Sequence, residues 1–336
     1  MSIIEEPSSQ HQDLEAYRIH LPQHVLPSSS HDTRGPTNDN GDGDDNDSGF
    51  FYIPDFISAD EEEYLINKIN TAPLPKWKTL HNRRLQYWGG QVTASNVLIP
   101  QDMPDFLEKF PDLVSRLERT GAFRGSKHGR PNHCLVNEYR AGQGIMPHED
   151  GAAYFPAVAT ISLGSHTLLD VYRYVDDALQ QQFDKKMEQH DAGPGDPAAL
   201  PRERIEGNVK VVRGARAREP EPVFSILQEP RSLLITRGRV YRDFLHGIAE
   251  RTSDPAEALS KVINVGQIRD GGIQEVLAAA KASLQPPSKL MPVAKADGDG
   301  TRKTELVRDT RLSLTLRDVE KVSKGLGGLL GAMTRV

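Results

Sequence analysis

The sequence predicts a mainly β domain with flanking helices, an α+β arrangement in which N-terminal helices pack on a sheet. Three observations carry that prediction. Short runs rich in Val, Ile, Leu and Thr recur at FYIPDFI (51–57), LVNEY (135–139), AVATISLGSHTLLDVYRY (157–174), VFSILQ (223–228), PRSLLITRG (230–238), FLHGI (244–248) and RLSLTLR (311–317). Turn-forming residues separate them, as expected of strands. Helical periodicity is strongest before residue 121, and His148, Asp150 and His246, residue types that bind metals, sit within or beside the strand-like runs.

Composition sets the limits. The chain has 336 residues, 37% of them hydrophobic, a formal net charge of -6 and one cysteine. Its mean hydropathy of -0.54 is polar for a globular enzyme, so part of the length is expected to be unstructured. The acidic balance argues against a generally basic nucleic-acid coat but leaves room for a local basic groove. Cys134 alone cannot form an internal disulfide and suits a reducing compartment. With no membrane-length apolar run and no signal pattern, the expectation is an intracellular protein of cytoplasm and nucleus, monomeric and away from membranes.

Taken in order, residues 1–48 end in HDTRGPTNDNGDGDDNDS and read as a disordered acidic tail. FYIPDFI opens the domain as a strand. Ser58 with Glu61 three residues later forms a capping box, and Leu65, Ile66 and Ile69 supply the buried stripe of a helix. A second helix is predicted over 103–120, with Leu113, Val114 and Leu117 inward and Gly121 just past its end. Between the helices, PKWKTLHNRRLQYWGGQVTASN (75–96) holds both tryptophans. Its composition fits a packed hairpin. It also fits a surface where Trp77, Arg83, Arg84, Tyr87 and Trp88 stack a nucleobase and contact phosphates. The strand pattern lapses at about 176–222, read as a surface insertion with at most a short helix. It lapses again at about 253–304, where IQEVLAAAKASL is helix-like. The final strand is RLSLTLR, and residues 326–336 form a Gly-rich flexible terminus.

The chemistry concentrates in NHCLVNEYRAGQGIMPHEDG (132–151). His148 and Asp150 are two residues apart, so on an extended strand both side chains leave one face. A second imidazole, offered by His246, completes two histidines and a carboxylate, a donor set suited to non-haem Fe(II) with positions left open. Arg311 and Arg317 are separated by an even number of residues and share a face. A convergent guanidinium is what the far carboxylate of a 2-oxo acid needs. His166 reads as a satisfied structural histidine, and Tyr154 as either a packed tyrosine or part of a substrate entrance.

The motifs Asn137-x-Tyr139, His148-x-Asp150, TISLGS (160–165), LHGI (245–248) and RLSLTLR, in that order, resemble the AlkB family of Fe(II)- and 2-oxoglutarate-dependent dioxygenases. FYIPDFIS, PKW, RRLQYWGG, GIMPHEDG, TISLGSHTLLD and EPRSLLI are closest to its sixth-homologue branch, in a fungal version. The resemblance covers about 51–175, 223–252 and 305–325. It implies a double-stranded β-helix, or jelly roll, over residues 49–325, with Fe(II), 2-oxoglutarate and O2 as its cofactor and co-substrates. It implies His148, Asp150 and His246 as metal ligands, and Asn137, Tyr139, Arg311 and Arg317 as 2-oxoglutarate contacts. Arg251, five residues after His246, competes with Arg311 as the anchor. The 75–96 segment becomes a nucleotide-recognition lid.

The implied activity is oxidative demethylation of alkylated DNA or RNA, single-stranded or base-flipped. One departure stands out. Several nucleic-acid demethylases of the family carry an acidic residue soon after the HxD motif, where this chain has Ala152, which cannot hydrogen-bond through its side chain. A dioxygenase acting on a protein or small molecule is therefore the alternative, and a non-catalytic nucleic-acid-binding module the third.

Overall fold

A computed structural model describes residues 13–25, 48–175, 179–182, 203–206, 209–212, 216–284 and 304–323. Most of the acidic tail, much of the 176–222 insertion, residues 285–303 and the Gly-rich terminus lie outside the described residues.

Two antiparallel sheets form the body of the chain. Their strands are β1 (Gly49–Ile53), β2 (Lys78–Thr79), β3 (Arg84–Trp88), β4 (His133–Tyr139), β5 (Ile145–His148), β6 (Tyr154–Gly164), β7 (Thr167–Arg173), β8 (Phe224–Gln228), β9 (Leu233–Arg237), β10 (Phe244–Ile248) and β11 (Arg311–Val319). The larger, seven-stranded sheet has the order β1-β9-β6-β11-β4-β3-β2, and the smaller, four-stranded sheet the order β8-β7-β10-β5. RLSLTLR thus becomes the central strand of the larger sheet. Its leucines, Leu312, Leu314 and Leu316, join the core under the N-terminal helices, and the alternate residues Arg311, Ser313, Thr315 and Arg317 line a cavity between the sheets. This is the period-two rule of a strand with both faces covered.

The helices cover the outer face of the larger sheet. Helix α1 (Ala59–Asn70) starts at the Ser58 capping box, where the Ser58 hydroxyl accepts from the Glu61 amide at 3.2 Å and the Glu61 carboxylate accepts from the Ser58 amide at 2.8 Å. Leu65 and Ile69 are fully buried, each contributing roughly 2 kcal/mol by removal of apolar surface from water. The helix predicted over 103–120 is two helices, α2 (Asp105–Glu108) and α3 (Leu113–Thr120). Pro111 lacks the amide that would continue the ladder, and Asp112 restarts it by capping Ser115.

Other predictions need correction. Residues 13–25 are not a loose tail. The Ile19 amide donates to the Phe50 carbonyl at 2.8 Å, and Ile19 and Val25 are buried in a second core with Phe50 and Tyr52. The insertion at 176–222 contains a hairpin, Glu203–Glu206 with Val209–Val212, which joins neither main sheet. Between the strand runs that end at Gly238 and begin at Phe244, Arg239–Asp243 forms a short helix, α4. IQEVLAAAKAS lies within a helix, as predicted, and Leu284 caps it. With α5 (Ala256–Ser260) and α6 (Gly271–Ser283), the second core continues through Leu259, Val276 and Leu277. Between the sheets, Phe50 of β1 meets Phe224 of β8 edge-on, with ring centroids 5.8 Å apart.

A candidate metal centre between the sheets

His148 and His246 are register partners on the neighbouring strands β5 and β10 of the smaller sheet, with ring centroids 4.5 Å apart. Gly144 allows that pairing. A Cβ there would lie 2.1 Å from the Ile248 carbonyl oxygen, so only glycine lets β5 approach β10 so closely. β5 ends at His148, so Asp150 reaches the site from the loop beyond and not from the strand face that its spacing suggested. One ligand atom from each of His148, Asp150 and His246 lies within 4.8 Å of the others.

The hydrogen bonds prepare this trio for a cation. Nδ1 of His148 lies 2.8 Å from the Met146 carbonyl oxygen, which can only accept. The proton is therefore on Nδ1, and the Nε2 lone pair is free to coordinate. Arg317 donates to Asp150 Oδ1 at 2.5 Å, while Oδ2 is buried with no partner. Burial opposes ionisation of Asp150, but Arg317 and the two imidazoles outweigh it and hold its pKa below the usual carboxylate value. Burial pushes His246 down to about 4 and lowers His148 as well, so both rings are neutral at physiological pH. Two neutral imidazoles and an ionised carboxylate with an unused oxygen fit a borderline divalent metal.

The cavity floor is the larger sheet. Along it, Tyr139 pairs with Arg311, Asn137 with Ser313, and His133 with Arg317. Arg311 is only 4% exposed, and burial lowers its pKa to about 10, which leaves it a cation at neutral pH. Its Nη2 donates to Ser162 Oγ at 2.9 Å and to Gln228 Oε1 at 3.2 Å, and its Nε has no partner. Among the described residues no carboxylate pairs with it. A buried guanidinium held only by neutral groups is costly unless an anion joins it, and a planar fork suits a carboxylate. Asn137 accepts from Arg83 Nε at 3.2 Å, and Tyr139 packs below Arg311, with its ring centroid 5.9 Å from the guanidinium carbon.

Arg251 does not reach this cavity. It donates to Asp254 at 2.8 Å and lies 3.7 Å from Asp170, outside the floor. His166 bonds Asp254 at 3.1 Å, the satisfied structural role that its sequence context suggested. LVNEY, within β4, belongs to the sheet opposite His148.

The 75–96 hairpin divides by face. Arg83 lines the cavity, and Tyr87 is turned to the same side, its ring 6.1 Å from that of His133 and tilted by 43°. Trp88 instead packs on Phe106 of α2, Trp77 joins the same helix-side core, and Arg84 covers Trp77 while pairing with Glu138. The structure therefore does not bring Trp77, Arg84 and Trp88 to the site: Arg84 and Trp88 share the β3 face opposite Tyr87, and Trp77 packs on that helix side before the strand begins. Tyr154 lies under the Arg317 guanidinium, 4.8 Å from ring to carbon. Sequence reasoning missed His133, Tyr241, Ser162 and Gln228. His133 shares the Asn137 face of β4 by even spacing, a signal that was available. Tyr241 comes from α4, which no pattern placed at the cavity.

Fold and site together define a class, and the chain belongs to the 2OG-Fe(II) oxygenase superfamily, which it matches over residues 49–317, within that superfamily's AlkB family. It is 35% identical over 272 residues to the Danio rerio "Probable RNA/DNA demethylase ALKBH6", covering 81% of this chain and 86% of that one. Over 124 residues, 36% of this chain and 20% of the other, it is 27% identical to the Xenopus tropicalis "tRNA (carboxymethyluridine(34)-5-O)-methyltransferase alkbh8". The solved structure of OsALKBH1 aligns with a TM-score of 0.39 and 15% identity, covering 81% of this chain and 98% of that chain. The resemblance drawn from the motifs is borne out at the level of the family.

Proposed function

We propose that this dioxygenase oxidatively demethylates alkylated DNA or RNA, on a pair of sheets wound as a double-stranded β-helix. His148, Asp150 and His246 hold Fe(II). Arg311 takes the distal carboxylate of 2-oxoglutarate, and Asn137, Tyr139 and Arg317 its other oxygens. The observation that carries the reading is a matched pair of needs in one cavity. An ionised carboxylate oxygen at one end lacks a cation, and a buried guanidinium further along lacks an anion.

Bound there, iron and 2-oxoglutarate with O2 supply C–H hydroxylation coupled to decarboxylation of the co-substrate to succinate, and a hydroxylated N-methyl group releases formaldehyde. The chain's own residues prepare that chemistry. Met146 fixes the His148 tautomer, Arg317 keeps Asp150 ionised and oriented, and Arg311 anchors an acid bidentately. The apolar walls Leu234, Val171 and Ile248 exclude water from the cavity.

The nucleic-acid reading is supported by the demethylase description of the Danio rerio relative and by Arg83 and Tyr87 on the cavity side. Ala152 favours the second reading, a protein or small-molecule substrate, because an exposed methyl group selects no base. The deciding experiment is a screen of methylated single-stranded DNA, RNA and peptide substrates, with succinate and formaldehyde measured under Fe(II) and O2. Formaldehyde from an oligonucleotide alone is the expected result. Formaldehyde from peptides alone sinks the nucleic-acid reading, and no iron-dependent succinate from any of them sinks the oxygenase site.

A further inference from the structure

Asn137 can offer the cavity either an oxygen or an amide hydrogen, and Arg83 decides which. Asn137 is 5% exposed, and its Oδ1 accepts from Arg83 Nε at 3.2 Å. A guanidinium can only donate, so the amide oxygen must face it, and the Nδ2 hydrogens are left for an acceptor in the cavity. Arg83 reaches that position by register. Leu85 of β3 pairs with Asn137 and Arg84 with Glu138, so the next residue back falls beside Tyr139, at the Arg311 end of the floor. Arg83, Asn137, Tyr139 and Arg311 all line the cavity.

The ladder gives Arg83 little support. β2 is two residues long and forms the edge of the larger sheet, and the turn from β2 to β3, closed by the Leu80 amide on the Arg83 carbonyl at 2.8 Å, projects beyond the paired residues. The turn is tied instead to the loop that follows β10 of the smaller sheet. Asn82 Nδ2 donates to Glu250 Oε1 in a solvent-exposed bond that joins residues 168 positions apart. Glu250 is a fixed post, because the backbone on either side of it is held. The Ala249 carbonyl accepts from Arg308 at 2.8 Å, and the Arg251 carbonyl accepts from the Gly142 amide at 3.2 Å.

We propose that Arg83 is a positioning residue for 2-oxoglutarate, and that the Asn82–Glu250 bond holds it in place. This rests on the co-substrate assignment of Asn137 and Arg311 above and deepens it. With Arg83 on its oxygen, Asn137 donates to the bound acid beside the Arg311 guanidinium. Without Arg83 the amide is free to turn over and present its oxygen, which cannot hydrogen-bond a carboxylate and leaves it one donor short. The two sheets are thus coupled through one chain of contacts, from Glu250 to Asn82, through the turn to Arg83, and from Arg83 to Asn137. The role uses only Nε of Arg83 and leaves its two terminal nitrogens to any phosphate contact.

The test measures 2-oxoglutarate binding to the full chain by titration calorimetry, with Mn(II) in place of Fe(II) and without oxygen or nucleic acid. Arg83→Ala should weaken binding about tenfold, the scale of a hydrogen bond that involves a charged group. Asn82→Ala and Glu250→Ala should each weaken it about fivefold, the scale of one ordinary hydrogen bond, and the double variant no more than either, since both remove the same tie. Loss of the Glu250 charge would by itself favour a dianion, so weaker binding in Glu250→Ala reports the tie and not the charge. Glu250→Gln, which keeps the accepting oxygen, should bind as the parent does. Mn(II) affinity without co-substrate should match the parent in every variant, because no metal ligand lies on the hairpin, and it marks the folded proteins along with thermal unfolding. The exposed Asn82→Ala change keeps the question open to test if Arg83→Ala fails to fold. Folded Asn82→Ala and Glu250→Ala proteins that bind 2-oxoglutarate as the parent does, or a Glu250→Gln protein as weak as Glu250→Ala, overturn the proposal while the co-substrate reading stands. A parent that binds no 2-oxoglutarate overturns both.

Discussion

Two buried clusters in this molecule use the same residue types and do different things. Behind the smaller sheet, His166, Arg251 and Arg308 converge on Asp254. Its two oxygens accept from Arg308 at 2.8 and 2.6 Å, from Arg251 at 2.8 Å, and face His166 at 3.1 Å. Between the sheets, two histidines and Asp150, all partly buried, meet the buried Arg317 and Arg311. In the first cluster the aspartate is satisfied on both oxygens, while Arg251 Nη2 makes no hydrogen bond and lies 3.7 Å from the Asp170 carboxylate. The second has a bare carboxylate oxygen and a guanidinium with no anion. Residue type therefore does not separate structure from function here. The accounting of counter-charges does: Arg251 stands beside two carboxylates, whereas the Asp150 oxygen and Arg311 have no opposite charge, and a buried charge left so is costly unless a ligand joins it.

The comparison breaks most directly by removing each aspartate. Asp150→Ala should lower iron-dependent succinate formation by at least about 1,000-fold, since losing a ligand removes several kcal/mol of metal-derived stabilisation. It should also lower the unfolding midpoint, because Arg317 is left buried without its partner, so the readout that separates it from Asp254→Ala is loss of Mn(II) binding. Asp254→Ala should instead cost about 3 kcal/mol or more of stability, because it leaves Arg308 and Arg251 buried and uncompensated. The folded fraction should still bind Mn(II). If the two variants exchange these phenotypes in Mn(II)-binding and succinate assays, the division is wrong.

A smaller effect sharpens the anchor. Arg311→Gln should raise KM for 2-oxoglutarate about 30-fold, equivalent to about 2 kcal/mol for a buried charge pair, whereas Arg251→Gln should affect stability before KM. Equal KM changes in the two variants would reopen the choice of anchor.

Acid sensitivity offers a third comparison. Burial lowers His133 from its ordinary value to about 4. Between about pH 6.5 and 4 the unfolded chain therefore binds a proton that the folded chain refuses, and stability should fall as pH drops through that window. Urea unfolding at several pH values should show a shallower fall in His133→Gln, and an unchanged slope would remove His133 from the account. The smallest effect concerns the hairpin. Arg83→Ala should weaken single-stranded nucleic-acid binding and reduce the salt slope by about one unit. Trp88→Ala should leave both unchanged and lower stability, because its ring packs on Phe106.

Local patterns were legible wherever one covalent neighbourhood dictates the outcome. The Ser58 capping box, the buried stripe of α1, the αL cap at Gly121 and the two faces of RLSLTLR all follow from spacing along a single element. Pro111, printed in the sequence, was outweighed by a helical pattern that continued beyond it. The packing of residues 13–25 was missed because Ile19 and Val25 gain their partners from β1 and the second core, far along the chain.

By itself, then, the sequence determined which residues can do chemistry: the imidazoles, the aspartate, the guanidiniums and their order along the chain. Only the tertiary structure decided which of them meet. It paired His148 with His246 across two strands and sent Arg251 to Asp254 while leaving Arg311 over the floor. It also turned Trp77 and Trp88 away from the site. The physical reason is that strand periodicity specifies which residues share a face but not what that face looks upon, and a side chain's role depends on whether its hydrogen bonds are already filled.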